Sequence, residues 1–128
     1  MKTAKNPKIK AILDTMLEQK QEAMKIENSK TFMPFNVDYL GKRAGLDAFA
    51  FSHYYKHPSG DMIADPDMEI LYNGREMFPY AYQDSFGYQN AVEWKDDGNI
   101  SGIKTRMQAQ HASFLRGWLK SVVEQQKL

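Results

Sequence analysis

The sequence predicts an α+β fold: a small antiparallel sheet of about four or five strands, flanked by long amphipathic helices at the N- and C-terminal ends. Three observations carry that expectation. Apolar residues recur every three or four positions near both termini, as on one face of a helix. Between Phe32 and Trp94 they alternate with polar ones, as along strands with one buried face. Within that region Asn73-Gly74 separates two such runs, a strong local signal for a hairpin turn.

The first helix is expected to open with Asn6 as N-cap and Pro7 at its first position. Ile9, Ile12, Leu13, Met16, Leu17 and Met24 then form one stripe, and the helix is expected to run to about Glu27 and end near Asn28-Ser29. Phe32 to Leu40 reads as a strand weakened by Pro34, with Gly41 to Gly45 as a loop. Leu46 to Tyr55 reads as a clean strand, with Phe49, Phe51, His53 and Tyr55 on one side and Ala48, Ala50, Ser52 and Tyr54 on the other. His57 to Asp61 is turn chemistry.

If Asn73-Gly74 forms a two-residue type I′ turn, Tyr72 pairs with Arg75, Leu71 with Glu76, Ile70 with Met77 and Glu69 with Phe78. Pro79 has no N–H to donate, so a bulge or the end of pairing is expected there. Gly87 to Trp94 reads as a further strand, closed by Asp96 to Asn99. The last helix is expected over about Thr105 to Gln126, with Met107, His111, Phe114, Leu115, Trp118, Leu119, Val122 and Val123 on its apolar stripe. No internal repeat or low-complexity segment interrupts this plan, so residues 1–128 are read as a single domain.

Composition narrows the function classes. Hydrophobic residues make up 42% and charged residues 26%, which suits a globular fold and is too apolar for disorder. No apolar run approaches the roughly 18 residues needed to cross a bilayer, and the basic N-terminus lacks the apolar stretch of a signal peptide. A cytoplasmic location without membrane attachment is therefore expected. Cysteine is absent, which removes disulfides, thiolate metal sites and a cysteine nucleophile. Seventeen basic residues against sixteen acidic ones leave a net charge of +1, so neither a duplex-DNA binder nor an acidic DNA mimic is indicated.

Two polar segments could carry function. His53 to Glu69 is the denser one. In an extended chain Asp65, Asp67 and Glu69 project from one side, roughly 7 Å apart, while Met68, Ile70 and Tyr72 face the core. Such a row of carboxylates needs water, cationic neighbours, hydroxyl donors or a metal ion, and Tyr80 and Tyr82 would supply donors if the register survives Pro79. The plain reading is a solvated acidic strand face; the sharper one is a hard-cation site built from Asp61, Asp65 and Asp67, with Glu69 or His53 as an optional further ligand. The spacing fails the EF-hand pattern.

The second segment, Ala81 to Gln89, reads either as an Asp84-Ser85 turn capping its own backbone or as a recognition surface of Tyr82, Gln83, Asp84, Tyr88 and Gln89. His111 lies on a helix stripe and is expected at the core edge with a hydrogen-bond partner, and His57 falls in a turn. Only His53 invites testing as a base or ligand. No nucleophile elbow, phosphate-binding loop, dinucleotide fingerprint or zinc-protease motif is present.

Several of these segments carry a resemblance. Phe51-Ser52-His53-Tyr54-Tyr55, Gly60-Asp61-Met62, Asp65-Pro66-Asp67-Met68-Glu69 and Tyr82-Gln83-Asp84-Ser85-Phe86-Gly87 resemble an uncharacterised family of small bacterial domains of unknown function. Its pattern ends in an amphipathic helix, matched here by Phe114-Leu115-Arg116-Gly117-Trp118-Leu119. The resemblance spans roughly Leu46 to Val123 and leaves the first helix outside; at Lys56 to Ser59 the family more often has Glu-Gln-Asn. It implies carriage on plasmids, conjugative elements and phages.

The leading expectation is thus a non-enzymatic interaction module, an accessory protein of a mobile element, with no cofactor. It would bind a protein partner through His53, Tyr55, Asp61, Asp65, Asp67, Glu69, Tyr82, Gln83, Asp84 and Tyr88. Two alternatives stand beside it. One is a metal-dependent hydrolase, with phosphodiesters as the expected substrate class, Asp61, Asp65 and Asp67 as ligands and His53 as base. The other is a single-stranded nucleic-acid binder stacking bases on Tyr54, Tyr80, Tyr82 or Tyr88, a partner class that the charge balance does not favour.

Overall fold

A computed structural model describes residues 1–128. The order of elements is α1 (Pro7–Glu18), β1 (Ala23–Ile26), β2 (Phe35–Arg43), β3 (Leu46–Lys56), β4 (Met62–Tyr72), β5 (Met77–Asp84), β6 (Gly87–Asn90), β7 (Val92–Trp94), β8 (Ile100–Ile103) and α2 (Thr105–Gln125). Strands β1 to β6 form one antiparallel sheet in sequence order, and β7 pairs with β8 in a second, two-stranded sheet. The fold is α+β as expected, with a larger sheet and with one long helix rather than two.

Helix α1 starts as read: Asn6 Oδ1 accepts from the Lys8 and Ile9 amides at 3.1 and 3.2 Å, and Pro7 occupies the first turn. It stops much earlier than expected. Lys20 adopts φ 54°, its N–H reaches Leu17 O, and the Gln21 N–H reaches Met16 O, a Schellman termination. The apolar stripe also ends at Leu17, because Lys20 and Gln21 occupy the next inward positions. Met24 and Ile26 belong instead to β1, where Met24 is half-buried and Ile26 buried while Lys25 is exposed.

Helix α2 falls where the sequence places it. It ends in the same motif, with Lys127 at φ 56° and the Leu128 N–H on Val123 O. Both helices cover one sheet face. Ile9, Leu13 and Met16 from α1 and Leu115, Trp118, Leu119 and Val122 from α2 pack on Phe35, Val37, Phe49, Phe51, Met68, Ile70 and Tyr72. The opposite face is covered at one end only, where Val92, Trp94 and Ile100 of the β7–β8 hairpin meet Ala48, Leu71, Tyr80 and Ala81.

Three strand expectations need correction. The loop read at Gly41 to Gly45 is mostly strand, because β2 continues to Arg43 and only Ala44 and Gly45 turn, at φ 50° and 77°. Tyr72 pairs with Met77, not Arg75, because Asn73 Oδ1 accepts from the Arg75 and Glu76 amides and holds a four-residue connection. The run from Gly87 to Trp94 breaks at Ala91, whose N–H bonds Tyr80 O and whose carbonyl accepts from Lys104, so the chain passes from one sheet to the other.

Two bulges matter for the site. Between β3 and β4, Ser52 pairs with Asp67 but Tyr54 pairs with Ala64, which leaves Asp65 and Pro66 together opposite His53; the Asp65-Pro66 peptide is cis. Between β4 and β5, Ile70 pairs with Pro79 but Glu69 pairs with Ala81, which leaves Tyr80 as the extra residue. The interruption expected at Pro79 is therefore present.

The uncovered polar face of the sheet

Strand register lines up Asn36, Ser52, Asp67, Gln83 and Tyr88 in one row across β2 to β6. Asp38, Ala50, Glu69, Ala81 and Asn90 form the next row. Nothing packs over these rows beyond the β7–β8 hairpin. Asp38, Gln83 and Tyr88 are exposed, Asn36, Asp67 and Glu69 are half-buried, and Ser52, Ala50 and Ala81 form a buried floor. The alternation that buries Phe35, Val37, Phe49, Phe51, Met68 and Ile70 on the helical side sends these residues outward.

Two hydrogen-bonded groups organise the face. Tyr54 donates its hydroxyl to Asp67 Oδ2 at 2.6 Å. Burial, with Asp67 beside it, pushes the Tyr54 phenol up to about 12. Asp67 is itself raised, first by burial and then by the nearby Glu69 and Asp38 carboxylates, against the lowering effect of the Tyr54 bond. In the second group Arg43 Nη1 donates to Glu69 Oε1 at 2.9 Å and to the Tyr80 hydroxyl at 2.6 Å, and Tyr80 donates to Glu69 at 3.2 Å. Glu69 is thus neutralised; Asp67 and Asp38 have no Lys or Arg nitrogen within 4.0 Å.

The expected row of three carboxylates is therefore two. Asp67 and Glu69 share the open face, but the bulge turns Asp65 to the helical side, where it lines a groove of about 630 Å³ with His53, Pro66, Phe114 and Trp118. His53 is buried there, edge-on to Phe35 and Trp118, and its Nε2 has no hydrogen-bond partner. Its pKa is lowered by burial, with Asp65 pulling the other way. Asp61 sits in the β3–β4 turn near the Ser59 hydroxyl. Tyr55, half-buried, pairs with Ile63 and lies opposite Tyr54 in the alternation. The ligand set of Asp61, Asp65 and Asp67 is not assembled, and no group of three His, Asp or Glu side chains is placed to hold a metal ion.

The second segment divides between the two faces. Gln83 and Tyr88 stay on the open side. Tyr82 does not: the bulge at Tyr80 sends it to the helical side, stacked on His111 and edge-on to Phe114. Tyr82 donates to Asp84 Oδ2 at 2.9 Å, and Asp84 Oδ1 accepts from the Phe86 amide at 2.8 Å, so Asp84 closes its own turn. The Phe86 amide, then Tyr82, holds the Asp84 carboxyl below its usual range. His111 meets its expectation, since Nε2 lies 2.8 Å from Gln89 Oε1 at the core edge.

Asn36, Asp38, Arg43 and Ser52 were missed as members of the face. Their signal is present in β2, where Asn36 and Asp38 alternate with Phe35 and Val37. It becomes meaningful only once β2 is known to lie beside β3.

No helix is long and apolar enough to cross a membrane. No curated protein and no solved structure matches the chain. A family model, described as Domain of unknown function (DUF6908), matches residues 7–128 and so takes in α1, which the resemblance left outside. The chain belongs to that family.

Proposed function

We propose that the protein is a non-enzymatic interaction module that binds a protein partner through the uncovered face of its six-stranded sheet. The setting we infer is the bacterial cytoplasm, as an accessory factor of a mobile element acting as one domain. The observation that carries the reading is the row Asn36, Ser52, Asp67, Gln83 and Tyr88, left open by both helices and by the β7–β8 hairpin. Tyr88 is 56% exposed and Phe86, at the adjoining turn, is 96% exposed. Aromatic side chains that combine area with hydrogen-bonding capacity are enriched in contact surfaces.

The Asp residues named as metal ligands point to different surfaces, and the open face carries carboxylates where a nucleic-acid backbone would require cations. Both features favour a protein partner over the two alternatives. The test is site-specific photo-crosslinking in the native host, with the crosslinking residue at Tyr88 or, as a control on the exposed side of α2, at Lys120. A discrete protein adduct from position 88 and none from position 120 is expected. Absence of an adduct at 88, or the same adducts from both positions, would overturn the reading.

A further inference from the structure

Beside Tyr54 the open face sinks into a depression of about 440 Å³. Its walls are Asn36 and Asp38 from β2, Ser52 and Tyr54 from β3, the exposed Met62 from β4 and the edge strand β1. Asp67 adjoins it through the Tyr54 hydroxyl. Ser52 is only 1% exposed, and its Oγ has no hydrogen-bond partner. That hydroxyl is close enough to Tyr54 to bear on its ionisation but is not in bonding geometry with it. A buried hydroxyl left without a partner costs free energy unless something else completes it.

The charge balance around the depression is one-sided. Asp38 is exposed without a cationic partner, Asp67 has none either, and Glu69 lies beyond them under Arg43. The one cation on the wall, Lys25, contacts Glu27 at 3.5 Å. The Asp38 carboxylate, an unpartnered hydroxyl, the Asn36 amide, a tyrosine ring and a thioether therefore line one concavity, with the Asp67 carboxylate adjoining it through the Tyr54 hydroxyl.

We propose that this depression receives the side chain of an arginine from the protein partner, with the guanidinium donating to Asp38, Asp67 and Ser52 Oγ and its methylene stem against Tyr54 and Met62. The planar fork of an arginine presents five donors, which matches acceptors spread over adjacent strands better than the single ammonium of lysine does. Tyr54 adds an aromatic ring beside the cation. Asp67, raised first by burial and then by the nearby Glu69 and Asp38 carboxylates, also gains a counter-charge from the arriving guanidinium.

The inference rests on the proposed partner-binding role of the face and supplies the chemistry of the contact. A direct probe is the tripeptide acetyl-Ala-Arg-Ala-amide, titrated into the full-length protein and followed by amide chemical shifts, with the citrulline tripeptide as a neutral isostere. Saturable shifts at Asp38, Ser52 and Asp67 are expected with arginine and not with citrulline. Asp38→Asn should weaken binding by about tenfold, the loss of one charge-assisted hydrogen bond. Since Asp38 is exposed, the variant retains the core. Equal shifts from citrulline, no saturable shift at these amides, or unaltered affinity in Asp38→Asn would each overturn the arginine site. A crosslink from Tyr88 with no arginine binding would refute this inference and leave the wider proposal standing; arginine binding with no crosslink would do the reverse.

Discussion

Replacing Gln108 by Leu tests how the N-terminal segment is held. Gln108 is 1% exposed although it sits near the start of α2. Its Nε2 donates to Lys2 O at 2.7 Å and Pro79 O at 3.2 Å, and its Oε1 accepts from the Lys2 amide at 2.7 Å. The clamp continues next to it, where Ala4 and Met77 exchange two backbone bonds of 2.9 Å, and Arg116 donates to Thr3 O. Leucine preserves the volume but removes all three side-chain bonds. Lys2 is exposed and its groups return to water, so each of those bonds costs about 1 kcal/mol, while a stranded, buried Pro79 carbonyl costs roughly 1–3 kcal/mol. The added apolar burial offsets roughly 1 kcal/mol of this, which leaves a net loss of about 2–4 kcal/mol. At an unfolding entropy of about 2.1 cal/mol/K per residue, a chain of this length should lose roughly 7–15 °C in Tm. Thermal unfolding followed by circular dichroism measures this, and amide exchange at Ala4 should quicken in parallel. A Tm within about 2 °C of the parent would show that these bonds do not anchor the segment.

Two further outcomes rest on local geometry. The pKa values of His53 and His111 are both lowered by burial, with Asp65 pulling His53 upward and Gln89 and Tyr82 facing His111. A depressed folded-state pKa means that their contribution is fully present above about pH 6.5 and is lost as pH falls through that value toward the folded pKa, at most ~1.4 kcal/mol per pH unit for each ring. Asp67, being raised, acts with the opposite sign and only near the carboxylate range. Urea midpoints should therefore fall between about pH 7 and pH 5, and a flat profile there would contradict the burial of both rings. Lys20→Gly should raise stability by about 1 kcal/mol, because glycine adopts the left-handed φ of the α1 terminus without a Cβ penalty. Chemical denaturation would detect the gain, and a destabilised variant would argue that Lys20 does more than end the helix.

How much of this was legible depended on whether a residue's environment is local. The N-cap at Asn6, the span of α2, strand β3 and the interruption at Pro79 are written in a few adjacent residues, and all were readable. Strand β1 was hidden because Met24 satisfies both a helical spacing from Leu17 and an alternation with Ile26. The polar run from Gln19 to Glu22 separates the two readings only after the Schellman turn is known. Strand β8 carries two apolar residues, Ile100 and Ile103, and gains its identity from pairing with β7. The site was half legible for a related reason. Asp67 and Glu69 were identified from β4 alone, whereas Asn36, Asp38 and Arg43 join them through pairings across β2 and β3 that no local pattern encodes.

The errors in facing share one physical origin. Alternation correctly assigned every β4 residue from Asp67 to Ile70, and it failed for Asp65 and Tyr82, which lie just beyond the two bulges. One extra residue in a strand inverts the facing of every residue past it, because the side-chain period is two. Each bulge has a proline in the longer strand, Pro66 in one and Pro79 in the other, where an absent N–H interrupts the ladder least. A proline inside an otherwise central strand pattern is therefore a cue to reverse the assignment beyond it. Applied here, that rule moves Asp65 to the groove beside His53 and Tyr82 to the stack on His111. It leaves Asp67 and Glu69 between the two bulges on the open face, so the two prolines decide which β4 carboxylates reach the proposed contact surface.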